Sequence, residues 1–160
     1  MKAYKDYENM TTPNMEQEIF STFAQVTASL GYSDIHGRIL GALMVAGKPL
    51  SLTELAHKIG VSVPTISLSL DLLETLGTAK RIKKPGDRNL YVQITGDLID
   101  GLRTAFLTKV DKSIDNTLSR FAVYRRQTRG KNGVLRTIDT LEKEARRLKR
   151  YIDILKKAPL

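Results

Sequence analysis

Apolar residues return at helical spacing over most of this chain. Ile19, Phe20, Phe23, Val26 and Leu30 recur every three or four positions and predict a helix that Asn14 caps and Gly31 stops. Glu16 and Glu18 suit the positive end of that helix, and the polar stretch 1–13 before it is expected to be loose. A second stripe, Ile35, Ile39, Leu40, Leu43 and Met44, runs from a Ser33 cap to Gly47. Leu50-Ser51-Leu52 is long enough only for an edge strand. Thr53 and Glu54 open a short helix with Leu55, Ala56 and Ile59 inward, closed by Gly60. Ser62 caps the next helix, which carries Ile66, Leu70, Leu73 and Leu76 as far as Gly77.

The period then changes. Ala79, Arg81 and Lys83 alternate with Lys80 and Ile82, and Leu90-Tyr91-Val92-Gln93-Ile94 follows Lys84-Pro85-Gly86-Asp87. Pro followed by Gly fits the two central positions of a type II turn, so this segment reads as a hairpin with a basic tip. Asp97 caps a long helix reaching to Arg126, with Leu98, Leu102, Phe106, Val110, Ile114, Leu118 and Phe121 on one side. Gln127 to Gly133 is a polar break. Beyond it Val134, Ile138, Leu141, Ala145, Leu148, Ile152 and Leu155 alternate steps of four and three, the period of a coiled-coil seam.

These elements predict a mainly α fold with a small β-hairpin: a winged helix-turn-helix at 33–96, a dimerising arm and helix at 1–32, and long dimerisation helices at 97–160. Gly60 permits the turn between the two central helices, Ala56 lets them cross closely, and Val61 plugs the angle. The second helix is anchored by Ile66, Leu70 and Leu73, which leaves its N-terminal residues free to enter a major groove.

Charge supports a polyanionic partner. The chain carries 26 Lys and Arg against 17 acids, a formal net of +9. The excess is uneven: residues 1–32 carry −2, residues 33–102 carry +1 and residues 103–160 carry +10. Most of the positive charge therefore lies outside the reading helix. The absence of cysteine removes disulfides and thiolate zinc sites. His36 and His57 stand on different helices, so no metal or other cofactor is expected. Asp97 and Asp100 are explained by helix capping. With no phosphate loop and no nucleophile–base arrangement, the chain does not read as an enzyme. The longest apolar run, Ile39 to Gly47, is far below the roughly 20 residues a membrane span needs, and the N-terminus has no apolar signal core. The reading is a cytoplasmic protein.

The blocks Gly37-Arg38-Ile39 to Leu43, Pro49 to Ala56, Ser62-Val63-Pro64-Thr65-Ile66-Ser67-Leu68-Ser69-Leu70 and Gly86-Asp87-Arg88 resemble the MarR superfamily of winged-helix regulators. Within it they are most similar to the glycine-betaine/choline-responsive repressors and their archaeal relatives. The similarity covers residues 33–95, and the flanking helices only in architecture. It implies a homodimer on double-stranded DNA, with a small-molecule effector as a further partner. MarR wings often carry an acidic-x-Arg pattern. Here Asn89 follows Asp87-Arg88, so Arg88 would take that role. Tyr32, Tyr91 and Tyr124 would be the candidates for a quaternary-ammonium cage.

By position, the DNA-reading residues are Ser62, Val63, Pro64, Thr65, Ser67 and Leu68. No Lys or Arg lies between Lys58 and Lys80, so the bidentate cation-to-guanine contact is absent, leaving hydroxyl and apolar contacts that suit thymine methyls. Lys83, Lys84 and Arg88 form the wing, where a cation enters a narrow minor groove or holds phosphate. Arg38, Lys48 and Lys58 are candidates for the DNA backbone. Arg120, Arg125, Arg126, Arg129 and Lys131 are either a solvated face or a further phosphate contact. Two other readings stand beside sequence-specific regulation. One is a non-specific architectural DNA binder; the other is a protein–protein module presenting Val63, Leu68 and Leu72.

Overall fold

In the computed structural model of the chain, residues 11–128 and 132–159 are described. The elements run α1 (Thr12–Ser29), α2 (Asp34–Ala46), β1 (Leu50–Ser51), α3 (Leu52–Ile59), α4 (Val63–Thr75), β2 (Ala79–Lys83), β3 (Leu90–Ile94), α5 (Leu98–Gln127) and α6 (Asn132–Lys157). Two compact units divide at Gly101–Leu102, one turn into α5. The expected class holds: mainly helical, with a winged helix-turn-helix followed by long helices.

In the first unit, Phe20, Ile39, Leu55, Ile66, Leu70, Leu73 and Val92 are the largest fully buried side chains. Each of α1 to α4 and the sheet supplies at least one residue to this core or its margin, so the unit closes around a single apolar centre. α1 lies very close to α2 because two glycines leave it room. A Cβ on Gly37 would fall 2.1 Å from the Phe23 carbonyl oxygen, and one on Gly41 would fall 3.2 Å from Phe20 Cα. The buried line of α1 is accordingly Phe20, Ala24 and Thr27, whereas Ile19 and Val26 of the expected stripe are exposed. Phe20 and Ala24 lie against the two glycines of the closely approaching helix, and Ile19 and Val26 are turned outward. Met44 of the expected α2 stripe is likewise exposed.

The helix ends follow local chemistry. α1 starts before Asn14, after an extended Thr11, because Pro13 has the fixed φ that suits a first turn. Of the polar stretch expected to be loose, residues 1–10 lie outside the described residues, and Thr12 and Pro13 are already helical. Ser33 caps α2 as expected. α3 begins one residue before Thr53, since Ser51 forms a reciprocal capping box. Its hydroxyl accepts from the Glu54 amide at 3.2 Å, and its own amide donates to the Glu54 carboxylate at 2.7 Å. The Ser51 amide, and after it the Ser51 hydroxyl, hold the Glu54 pKa below the ordinary carboxylate value. Ser62 caps α4 and Asp97 caps α5, the Asp97 carboxylate accepting from the amides of Ile99 and Asp100.

The hairpin acquires a third strand. β3 is central, with β2 antiparallel on one side (Arg81 opposite Val92) and β1 on the other (Leu50 opposite Val92). The turn is closed by the Asp87 amide donating to the Lys84 carbonyl, with Gly86 at φ 77° as a type II turn requires.

The second unit pairs the rest of α5 with α6. Leu107, Ile114 and Ile152 are buried, with Val110, Leu118 and Ala145 packed against them. Phe106, expected on the inner face of α5, is exposed, and Leu107 takes its place. A row repeating strictly every four residues winds around a helix by about 40° per step, so 102, 106, 110, 114 and 118 cannot share one side. Ion pairs join the two helices. Asp111 pairs with Lys156 and, at 3.2 Å, with Lys149; Lys149 also pairs with Asp115. Arg125 pairs with Asp139 at 2.6 Å and Glu142 at 2.8 Å. Arg103 donates to the carbonyls of Leu155 and Ala158 near the end of α6. The polar break expected at Gln127 to Gly133 includes residues 129–131, which lie outside the described residues.

Candidate nucleic-acid interface

Gly60, left-handed at φ 73°, ends α3 and lets the chain turn into α4. The first turn of α4 is then built by Ser62. Its hydroxyl accepts from the Thr65 amide at 3.3 Å and lies 2.7 Å from the Thr65 hydroxyl. Pro64 sits where its missing N–H leaves no helical bond unmade. Ile66, Leu70 and Leu73 point into the core with at most 2% of their surface exposed. The other side of the helix is open. Ser62, Val63 and Pro64 are exposed, Thr65 and Ser67 are half-buried, and Leu68 is 75% exposed. The expected reading residues thus lie on the first accessible turns of α4, with the exposed apolar side chain of Leu68 at their C-terminal end.

The wing brings Lys83, Lys84, Asp87 and Arg88 to the tip of the hairpin. Asp87 shapes it, accepting from the Asn89 amide at 2.8 Å and from the Tyr91 hydroxyl at 2.6 Å. The Tyr91 hydrogen bond, then that from Asn89, holds the Asp87 pKa below the ordinary carboxylate value. The Lys84 ammonium lies 3.7 Å from the centre of the Tyr91 ring, so that aromatic face already holds a cation. Lys83 and Arg88 are exposed and make no ion pair among the described residues. Of the three backbone candidates, Arg38 pairs with Asp34 at 3.4 Å and Lys58 pairs with Glu16. Lys48 and Lys58 both border, with Glu54 and His57, an open depression of about 620 Å³. In the basic cluster, Arg120 and Arg126 are exposed and Arg125 is committed to α6, while Arg129 and Lys131 lie outside the described residues.

One residue of the site is missing from the sequence-based reading. Arg81, on β2, donates to Asp71, to Glu74 and to the Ser67 carbonyl, while its own amide donates to Glu74 at 2.7 Å. Burial works against its charge, but the Asp71 hydrogen bond and the charges of Glu74 and Asp71 keep its pKa above the ordinary guanidinium value. Arg81 therefore fixes α4 to the wing and neutralises the two acids in the second half of α4. A signal was present: Asp71 and Glu74 stand three apart on α4, and Arg81 shares its strand side with Ala79, which is buried.

Among the described residues no group of three or more His, Cys, Asp or Glu side chains is placed to hold a metal ion, and no helix is long and apolar enough to cross a membrane.

No protein-family model matches this chain, and no curated protein matches it in sequence. Solved structures do match in shape. A crystal structure of a transcriptional regulator aligns with a TM-score of 0.61 at 19% identity, over 88% of this chain and 95% of its own. At that identity the likeness establishes the fold. Wild-type apo MarR from E. coli aligns at 0.43 and 18% identity, over 57% of this chain and 68% of its own. NadR in complex with 4-hydroxyphenylacetate aligns at 0.43 and 22%, over 86% and 94%. These two scores are too low to bear on function.

Proposed function

We propose that this chain is a sequence-specific DNA-binding transcriptional regulator of the MarR type, acting in the cytoplasm as a homodimer and without enzymatic activity. The observation that carries the reading is the split character of α4, whose inner face is locked into the core while Ser62, Val63, Pro64 and Leu68 stand clear of it, with Thr65 half-exposed, beside a basic wing. A helix held so firmly on one side presents the other as a rigid surface, as groove recognition demands. Thr65 and Ser67 offer hydroxyls and Leu68 a methyl-rich surface, a set that favours A·T pairs with their thymine methyls. Lys83 and Arg88 supply phosphate or minor-groove contacts that position the helix without specifying sequence. Control by a small-molecule effector belongs to the same reading and rests on the sequence resemblance alone.

Selection of bound fragments from genomic DNA, followed by titration of the selected and a random duplex over a salt series, tests this. Sequence-specific regulation predicts a large affinity ratio that survives added salt. Equal affinities with a steep common salt slope would replace it by a non-specific architectural role. No binding at low salt would leave Val63, Leu68 and Leu72 as a protein-docking surface.

A further inference from the structure

The apolar seam of α6 is two rows with different fates. Ile138 and Ile152 are 6% and 5% exposed, and Ile152, with Ala145, packs against Leu107 and Ile114 of α5. Val134, Leu141, Leu148 and Leu155 are 47%, 48%, 47% and 49% exposed. Glu142, Lys149 and Lys156 flank the first row and make the ion pairs to α5. The second row instead continues on its far side into exposed Tyr151 and Ile154. A row of four aliphatic residues over 22 positions, widened by an aromatic and an isoleucine, is an unpartnered face rather than a scatter of surface apolar residues.

We infer that this face is covered by α6 of a second copy of the chain, running antiparallel, with the two-fold axis passing between Glu144 and Ala145. The inference rests on the homodimer proposed above and adds the surface, the direction and the register. Two features select them. The row is symmetric about that point, so antiparallel pairing sets Val134 opposite Leu155 and Leu141 opposite Leu148 of the other copy, and all four aliphatic residues of the row are matched. The charges on the face, Glu144 and Arg147, straddle it. Antiparallel helices bring each Glu144 beside the other copy's Arg147. Parallel helices would set Glu144 on Glu144 and Arg147 on Arg147, a repulsion at the helix interface. The wider charge distribution agrees. Residues 132–144 carry two cations and three acids, and residues 145–157 six cations and one acid, so parallel pairing would align the two strongly basic halves.

The chain lacks cysteine, so single thiols can be placed cleanly. In the antiparallel register Leu141 of one copy meets Leu148 of the other, whereas the two Leu141 positions are separated by about 10 Å along the axes, beyond disulfide reach. Leu141→Cys/Leu148→Cys should therefore oxidise to a covalent dimer, and Leu141→Cys and Leu148→Cys alone should not. Spin labels at exposed Glu144→Cys and Lys157→Cys, which spare the apolar row, give a second readout. Antiparallel pairing separates the Lys157 labels by about 38 Å along the axes and brings the Glu144 labels together, while parallel pairing keeps both pairs close, near the interaxial distance of about 8–10 Å. Cross-linking of the single variants, or a short distance at Lys157, would overturn the antiparallel register. A dimer by sedimentation with no cross-link in any variant and long distances at both labels would remove α6 from the interface but leave the homodimer standing. A monomeric parent chain would refute both.

Discussion

Arg81 offers the sharpest test of how α4 is held. Arg81→Met keeps most of the aliphatic stem and removes the guanidinium, which donates to Glu74, Ser67 and Asp71. The three contacts are not equal. Asp71 is 68% exposed, so its pair contributes at most about 1 kcal/mol. Glu74 and Arg81 are 32% and 21% exposed, and with the Ser67 carbonyl they form a partly shielded pair of charge-assisted bonds, each contributing up to about 1.5 kcal/mol after allowance for solvent. The substitution should thus destabilise the first unit by about 2–3 kcal/mol, a fall in melting temperature on the order of 10 °C. It should also unmask Asp71 and Glu74 near the DNA phosphates and weaken binding to every duplex alike. Differential scanning calorimetry and anisotropy titrations measure the two effects. Adding Glu74→Gln should recover part of the affinity but not the stability, because the uncompensated charge goes while the bond stays broken. Unchanged melting and unchanged DNA affinity in Arg81→Met would refute the clamp.

Arg88→Ala should lower DNA affinity and make the plot of log K against log salt shallower by about 0.9 if the contact is to one phosphate; a loss confined to A/T-rich flanks would place it in the minor groove instead. Gly37→Ala drives a methyl into the Phe23 and Ala24 backbone and should cost at least about 2 kcal/mol, with hydrogen exchange rising first in α1; wild-type melting would show that α1 yields freely. The Lys156 and Lys149 hydrogen bonds depress the Asp111 pKa, so their stabilisation of the α5–α6 pair is complete above the ordinary carboxylate value near 4 and is lost as pH falls through the lower folded value. Asp111→Asn should flatten that acid limb in helix-unfolding curves of the full chain, and an unaltered limb would assign it to other carboxylates.

The order of elements, the caps at Ser33, Ser62 and Asp97, and the Pro-Gly turn were legible because each depends on residues within four positions of one another. The anchors Ile66, Leu70 and Leu73 were legible for the same reason, since a helical stripe is a local pattern. What escaped depended on partners distant in sequence. Ile19 and Val26 belong to a valid helical stripe, but the close approach at Gly37 selects Phe20, Ala24 and Thr27 for burial. Phe106 fits a four-residue row, yet α6 packs along the line of Leu107, Val110 and Ile114. Arg81 reads only as an alternating strand position until α4 places Asp71 and Glu74 beside it. Arg125, one of five clustered cations in the sequence, is held by Asp139 and Glu142 across a break that hides the pairing.

The central claim is that the exposed turn of α4 reads DNA sequence, and the affinity ratio between a selected genomic duplex and a random one tests it most directly. At physiological salt the parent chain should bind the selected duplex at least about 10³-fold more tightly. Thr65→Ala and Leu68→Ala should each compress that ratio by about tenfold, a loss of about 1.4 kcal/mol of discrimination, while leaving random-DNA affinity and salt slope unchanged. A ratio near one, or a large ratio indifferent to both substitutions, would contradict the account.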